Sequence, residues 1–418
     1  MILLVSFIIL LLLGVPISIT TGLSTIIAMA ASDINLHTAV QKMFSGVDSF
    51  SLMAIPFFVF AGDIMLKGGA SKRLIGFANK LFGWITGGLP ITAIISSMFF
   101  AALSGSSPAT VAGVGGVMIP NLIENKYPKK FTVGLLCAAG SLGIIIPPSI
   151  TMMSYGVVSE LSISDLFIAA IVPGIFIGIT LIIFSYVYAK IRKQEKTDFP
   201  TFKEVIISFK DAFFSILMPV IILGGIYLGF TTPTEAAAVA IIYSMIISVF
   251  IYKEINVKDI LVIARKSVVT SAMIMFVIAN SKIFSWYLTF QQVPTKVAES
   301  VLGLGSSLIV ILLAINLILL FVGMIMDSSA AVLILTPLFL PIVTNLGMNP
   351  IHFGIVMVVN LALGMLTPPF GLNLFVASGI SNMSIPDVVK GSMPFVLLLI
   401  IDLLIITFVP ELSLMLIK

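Results

Sequence analysis

Side chains able to do chemistry are scarce in this chain, and those set within apolar sequence fall into two pairs of segments. Residues 102–120, ALSGSSPATVAGVGGVMIP, bring Ser104, Gly105 and Ser106 together just before a proline. Residues 323–341, GMIMDSSAAVLILTPLFLP, start at Gly323 and place Asp327 at the position matching Ser106, followed by Ser328. An ionisable side chain in such surroundings costs roughly 2.5–3.5 kcal/mol to insert in a bilayer and marks a functional position by default. Asp327 is thus a candidate ligand for a cation or contact for a substrate, a role compatible with capping a helix that begins at Ser328. The plain alternative for the first run is a small-residue interface for close helix packing.

The second pair is GSLGIIIPPSITM, residues 140–152, and NLALGMLTPPFGLN, residues 360–373. Two consecutive prolines remove amide donors and exclude a continuous helix. Carbonyls of Gly143 to Ile146, ahead of Pro147, and of Gly364 to Thr367 are thereby left without intrahelical partners. Together with the hydroxyls of Ser149, Thr151 and Thr367 they offer what a hard alkali cation needs. The helix ends that point inward supply partial positive charge for an anionic group. In the first run, Ser107 reads as an N-cap and Pro108 as the first helical position.

The elements that must position these groups are membrane helices. Of 418 residues, 59% are hydrophobic and 10% charged, with a mean hydropathy of +1.21, whereas soluble domains carry about 25% charged residues. Uniform apolar runs without two-residue alternation exclude a barrel, which leaves an all-α polytopic membrane protein. With about 20 apolar residues needed per crossing, helices are expected over residues 2–31, 52–67, 132–158, 164–191, 213–230, 233–252, 268–289, 353–380 and 393–417. The first run is too long for the core of a cleaved signal peptide and is expected to remain as a crossing. Residues 88–124 and 307–345 are too long for one crossing and lack the polar connector needed for two. Each reads as a re-entrant helical hairpin, the first with its tip at residues 104–108.

A repeat organises the chain. Pro120, Gly143, Pro147, Pro148 and Pro173 recur 221 residues later as Pro341, Gly364, Pro368, Pro369 and Pro394. An odd number of crossings separates the copies, which implies inverted orientation with the site at their interface near the midplane. The expected domains are an N-terminal repeat (1–189), a cytoplasmic linker with an interfacial helix (190–212) and a C-terminal repeat (213–418). All of the 22 Lys and Arg except Lys42, Lys282, Lys296 and Lys418 collect on one side of the predicted crossings, and the positive-inside rule makes that side cytoplasmic. Residues 70–86 carry Leu74, Phe77, Leu81 and Trp84 opposite Lys72, Arg73 and Lys80, as suits a helix lying in the interface. Residues 290–306 are expected to do the same in the second half.

Other polar residues carry less. Asp63, Lys282 and Asp402 lie in or near crossings, and His37 and His352 are expected in solvated outer loops. In FTTPTEAAAVA, residues 230–240, Thr232 caps a helix with Pro233 first and Glu235 in its first turn. The single Cys137 forms no intrachain disulfide and belongs to no CxxC or zinc spacing.

GVPI near Gly14, IPFFVFAG at residues 55–62, SGSSPATVAGVG at 104–115, IPPS at 146–149 and FTTPTEAAAVA together resemble the large membrane subunit of tripartite ATP-independent periplasmic (TRAP) transporters over essentially the whole chain. The resemblance implies a bacterial inner-membrane carrier that imports carboxylate-bearing solutes such as C4-dicarboxylates or sialic acids, driven by sodium. It implies an elevator mechanism, a small four-helix membrane subunit expected here as a separate chain, and a periplasmic substrate-binding protein. By motif, Ser104, Gly105 and Ser106 with the carbonyls of Gly143 to Pro147, Ile146 included, resemble one sodium site. Gly323, Asp327 and Ser328 with Gly364 to Thr367 resemble a second. Ser106, Ser149, Thr151, Asp327 and Asn373 are the candidates to face the solute, with Asp327 open between ion and solute.

A stand-alone anion transporter or antiporter of the same hairpin design is the rival within transport. An integral membrane enzyme would need an acid, base, metal or nucleophile set, and two histidines in loops, one cysteine and no HExxH argue against it. Two occluding hairpins suit alternating access better than a continuous pore.

Overall fold

The computed structural model describes residues 2–194, 198–293, 296 and 308–417, which contain helices and turns. Seven helices among these residues are long and apolar enough to cross a membrane. The expected first crossing is instead two short helices packed on each other, α1 (Ile2–Leu12) and α2 (Ile17–Ala31). Gly14 turns with φ +76° and Pro16 cannot donate to a continuing helix, which stops α1 here. Next come α3 (His37–Val47), α4 (Ala54–Lys67) and α5 (Ala70–Phe82).

The first expected hairpin is α6 (Gly88–Ser104) and α7 (Ser107–Glu124), followed by a broken pair, α8 (Lys129–Ser141) and α9 (Ile150–Ser159), and by the long α10 (Ile163–Ile191). The same succession returns as α14 (Leu308–Gly323), α15 (Ser328–Asn345), α16 (Pro350–Gly364), α17 (Leu372–Ser381) and α18 (Ile385–Phe408), closed by the short α19 (Glu411–Leu414). Between them stand α11 (Phe202–Tyr227), α12 (Pro233–Ile246) and α13 (Val257–Phe290). The stretch expected to hold an interfacial linker helix runs straight into α11, because Thr201 and Glu204 form a capping box that starts one 26-residue helix. The interfacial helix expected over residues 290–306 lies largely outside the described residues.

Sequence sets these boundaries locally. Thr232 with Glu235 forms the expected box at the start of α12, and Asn256 with Asp259 does so for α13. Ser162 and Ser384 take the N–H of Asp165 and Asp387 at the starts of α10 and α18. α8 and α16 are buried along almost their whole length, so they form the middle of the molecule. Most of the apolar middle of α13 is exposed, Val268, Val269, Met273 and Phe276 included, and this face is apolar enough to meet lipid rather than water.

Two sets of contacts organise the packing, joined by α5 on α6 and α13 on α15. α13 lies on α2, α3 and α4, α12 lies on α4, and α11 lies on α5 and α12. In the other group the halves interlock: α7 packs on α17 from the opposite half, and α15 packs on α9. Glycines make the closest crossings possible. A Cβ on Gly134 would run into the backbone of Gly391, and one on Gly391 into that of Lys130, so α8 and α18 meet backbone to backbone.

One expectation about polarity is corrected, and Arg73 on the polar face of α5 gains partners: its side chain is 15% exposed, bonds Asp211 at 3.2 Å and Glu254 at 3.0 Å, and lies 3.9 Å from the Tyr252 ring centre. His352 is not in a solvated loop but in the first turn of α16, 1% exposed, with Nε2 3.3 Å from the Thr407 carbonyl. His37 is exposed at the start of α3, as expected.

Candidate functional site

At the first hairpin tip, α6 ends at Ser104, Gly105 turns with φ +59°, and Ser106 is the extended N-cap of α7. The cap is one residue earlier than Ser107, which instead donates to Asn373 Oδ1 at 3.0 Å. Gly105 must be glycine twice over: its φ is left-handed, and a Cβ would lie 2.8 Å from the Pro148 carbonyl. Its own carbonyl accepts from Ile150 N–H at 3.3 Å, so the tip is fastened to the break between α8 and α9.

Behind the tip, three oxygens form a triangle: Ser104 Oγ to Thr110 Oγ1 is 3.0 Å, Thr110 Oγ1 to the Ser106 carbonyl 2.9 Å, and Ser104 Oγ to that carbonyl 3.3 Å. A Cβ on Gly143 would sit 2.5 Å from both the Ser106 carbonyl and Thr110 Oγ1. A hard cation holding oxygens at about 2.3–2.6 Å sets neighbouring ligands about 3.3–3.7 Å apart. The triangle is slightly tighter, held by hydrogen bonds that such a cation would replace. Thr110 was not among the residues singled out in the sequence. Its signal was there, one helical turn beyond Ser106. The Ile146 side chain packs on Gly174 of α10, and Pro147 is buried in the break.

At the second tip, Gly323 ends α14 against Gly364, where a Cβ would fall 2.6 Å from Gly323 Cα. Phe370 N–H donates to the Met324 carbonyl at 3.2 Å, and Asn373 N–H to the Met365 carbonyl at 2.9 Å, across the break between α16 and α17. Asp327 is the N-cap of α15, its Oδ1 accepting from Ser329 N–H at 2.9 Å and Ala330 N–H at 3.4 Å, and the residue stays open to the adjoining cavity. Thr367 donates to the Leu363 carbonyl at 2.8 Å, back into α16.

The tips meet at a cavity of about 330 Å³. Three helix N-termini reach it: α7 at Ser106, α9 at Ile150 and Thr151, and α15 at Asp327, Ser328 and Ser329. Each N-terminus presents roughly half a positive charge. Thr151 Oγ1 lies 3.4 Å from Ser329 Oγ, joining the first half to the second hairpin. Ser328 Oγ is buried without a hydrogen-bond partner. The opposite wall is one face of α13, Thr270, Met273, Ile274 and Val277. Met273 and Ile274 are the midpoint of this 34-residue helix, so the cavity lies midway along α13.

Ser149 and Asn373 do not face the cavity. Ser149 donates to the Ile144 carbonyl at 2.6 Å and caps α9 by accepting from Met152 N–H. The Asn373 amide donates to Ser107 Oγ at 2.8 Å and the Cys137 carbonyl at 3.3 Å, tying the first hairpin to α17. Both are fully buried and hold the walls in place.

Residues 4–412 match the family described as "Tripartite ATP-independent periplasmic transporter, DctM component". The C4-dicarboxylate TRAP transporter large permease protein DctM of Vibrio cholerae is 43% identical, covering 96% of this chain and 93% of its own. The chain belongs to the DctM family of TRAP transporter large permeases. It is a multi-pass membrane transport protein and not an enzyme. Other relatives of this permease are the isethionate TRAP transporter permease protein DctMQ of Oleidesulfovibrio alaskensis, 44% identical over 97% of this chain and 64% of its own, and the sialic acid permease protein SiaM of Vibrio cholerae, 36% identical over 96% and 95%. In fold, the permease is similar to the Alcanivorax borkumensis YdaH transporter, with a TM-score of 0.67 at 14% identity, covering 91% of this chain and 88% of that one.

Proposed function

We propose that this permease imports a carboxylate-bearing organic acid across the bacterial inner membrane, coupled to sodium. The observation that supports this most is the meeting of three helix N-termini with Asp327 at one cavity midway along α13. The N-termini favour an anion, whereas the Asp327 carboxylate repels one. Two unit charges 4 Å apart interact by about 4 kcal/mol at the effective dielectric of a protein surface. Sodium bound by Asp327, Ser328 and the carbonyls of Gly323 and Gly364 to Thr367 cancels that repulsion. Solute then binds well only after the ion, and by linkage the ion binds better with solute present.

A second sodium is taken by the Ser104, Ser106 and Thr110 oxygens with the Gly143 to Pro147 carbonyls, where it tightens the first tip. Thr151, Ser329 and the Ser106 hydroxyl are left to donate hydrogen bonds to the solute carboxylate. The two halves are inverted repeats, and the interlocked group of α6–α10 with α14–α18 moves as an elevator against α1–α4 and α11–α13. The basic side is cytoplasmic. As in the naming of its relatives, the solute is a C4-dicarboxylate, a sialic acid or a similar acid, handed over by a periplasmic binding protein while a small membrane subunit, a separate chain, accompanies the permease.

Reconstitution in vesicles tests this reading. Uptake is expected only with an inward sodium gradient and with both partner proteins; uptake by the permease alone would favour a stand-alone anion carrier, and uptake indifferent to sodium would refute the coupling.

A further inference from the structure

Beside the central cavity lies a second one of about 310 Å³, sharing Ser106, Pro108, Ile150 and Thr270 with it. Its outer rim is an ion pair that nothing in the transport scheme uses. Lys266 Nζ on α13 stands 3.7 Å from Asp63 Oδ1 on α4, and Ser267 Oγ donates to Asp63 Oδ2 at 2.7 Å. The two partners differ in exposure, 66% for the Lys266 side chain and 18% for that of Asp63. The acid is fixed in the wall while the ammonium is free to move.

The α13 face that lines these spaces runs Lys266, Thr270, Met273, Ile274 and Val277, one stripe at helical spacing. Lys266 precedes Thr270, which borders both cavities, by one turn, or about 6 Å along the axis. Both residues line the second cavity, so the ammonium borders the space that Thr270 shares with the first. Across from it, within the same cavity, are Ser104, Ser106 and the start of α7. A solute passing between the first hairpin and α13 therefore meets a lysine whose counter-ion is held at a long, solvent-open 3.7 Å, a separation at which an ion pair contributes little. A carboxylate arriving from the cavity competes with Asp63 on favourable terms.

We propose that Lys266 is an anion-binding position on the way out of the central cavity, where a carboxylate of the solute exchanges with Asp63 for the ammonium. This rests on the reading of the permease as an importer of organic acids. Lys266 lies nine residues from the start of α13 and 24 from its end, nearer the basic side, so it serves release and re-binding from that side. Asp63 restores the empty state by recapturing the ammonium, which keeps the position from trapping its cargo.

The test is solute exchange in vesicles holding the complete transporter, with a labelled C4-dicarboxylate or sialic acid outside, whichever the wild type transports, and a series of unlabelled internal concentrations. Lys266→Gln is expected to raise the internal concentration for half-maximal exchange by about fivefold, the scale of a partly solvated charge contact. Asp63→Asn, which keeps the acceptor for Ser267, is expected to lower it, and Lys266→Arg to leave it near wild type. Raising ionic strength with choline chloride from about 0.1 M to about 1 M shortens the screening length from about 10 to about 3 Å. That should weaken internal binding in the wild type and leave Lys266→Gln unaffected. A Lys266→Gln permease with the wild-type constant and salt response, or an Asp63→Asn permease that binds internal solute more weakly, overturns the proposal. Absence of sodium-driven uptake by the wild type would instead overturn the reading on which it rests.

Discussion

Gly323 and Gly364 bring the second tip onto its broken helix with no side chain between them. Adding a methyl group at Gly364 forces the tip away from the carbonyls proposed to share an ion with it. Gly364→Ala is expected to cost about 1–3 kcal/mol, as overpacking does, seen as a lower melting temperature in detergent; an unchanged Tm would mean the contact is not tight. Thr110 tests the other tip. Thr110→Val keeps the shape but removes one oxygen, and should raise the sodium concentration for half-maximal uptake about tenfold, equal to about 1.4 kcal/mol. An unchanged sodium dependence would remove Thr110 from the ion site. Residue type singles out Asp327 and Ser106, which line the cavity, because a polar group set in apolar sequence is tolerated only where a partner or a ligand compensates its desolvation. It could not separate Thr151, which faces the cavity, from Ser149 and Asn373, which are used up by Ile144, Met152, Ser107 and Cys137. The partners of Asn373 lie up to 266 residues away, and spacing along the chain carries no sign of them.

Among the elements, helix starts were the most legible feature, since a cap is a local match between a hydroxyl or carboxylate and the next turn. The Thr232 box at α12 is such a case. Thr232→Ala should cost about 1 kcal/mol, measurable by thermal unfolding, and a neutral effect would show that α12 is held by its packing on α4 instead. The α1–α2 break was missed because hydropathy does not register one left-handed glycine. The partners of Arg73 stayed hidden for a different reason: on a helical wheel it belongs to the polar face of α5, and Asp211 and Glu254 reach it from elsewhere in the chain. Removing it in Arg73→Ala should loosen α5 from α11 by about 1 kcal/mol, a modest figure because both acids are exposed to solvent. Lysine should not restore it, since it lacks the flat fork that spans two acids over the Tyr252 ring; full rescue by Arg73→Lys would contradict this account.

For the molecule as a whole, the proposed repeat rests on rigid residues alone, because prolines and glycines fix backbone wherever they occur. The interlocking of the halves, α7 on α17 and α9 on α15, could not, since it depends on contacts across most of the chain. Orientation has a direct check. Cys137 is buried, so a cysteine placed at Lys203 or at Gln41 is the reactive one. An impermeant thiol reagent outside intact cells should label position 41 and not position 203, and the reverse pattern would invert the assignment. The central claim, that the two tips bind sodium and solute together, is tested most directly by sodium-driven solute uptake in vesicles carrying Asp327→Ala or Ser106→Ala permease. Both variants should fold and reach the membrane yet lose uptake, by at least about 100-fold for Asp327→Ala, equal to about 2.7 kcal/mol of coupling. Wild-type rates and sodium dependence in both would contradict the account.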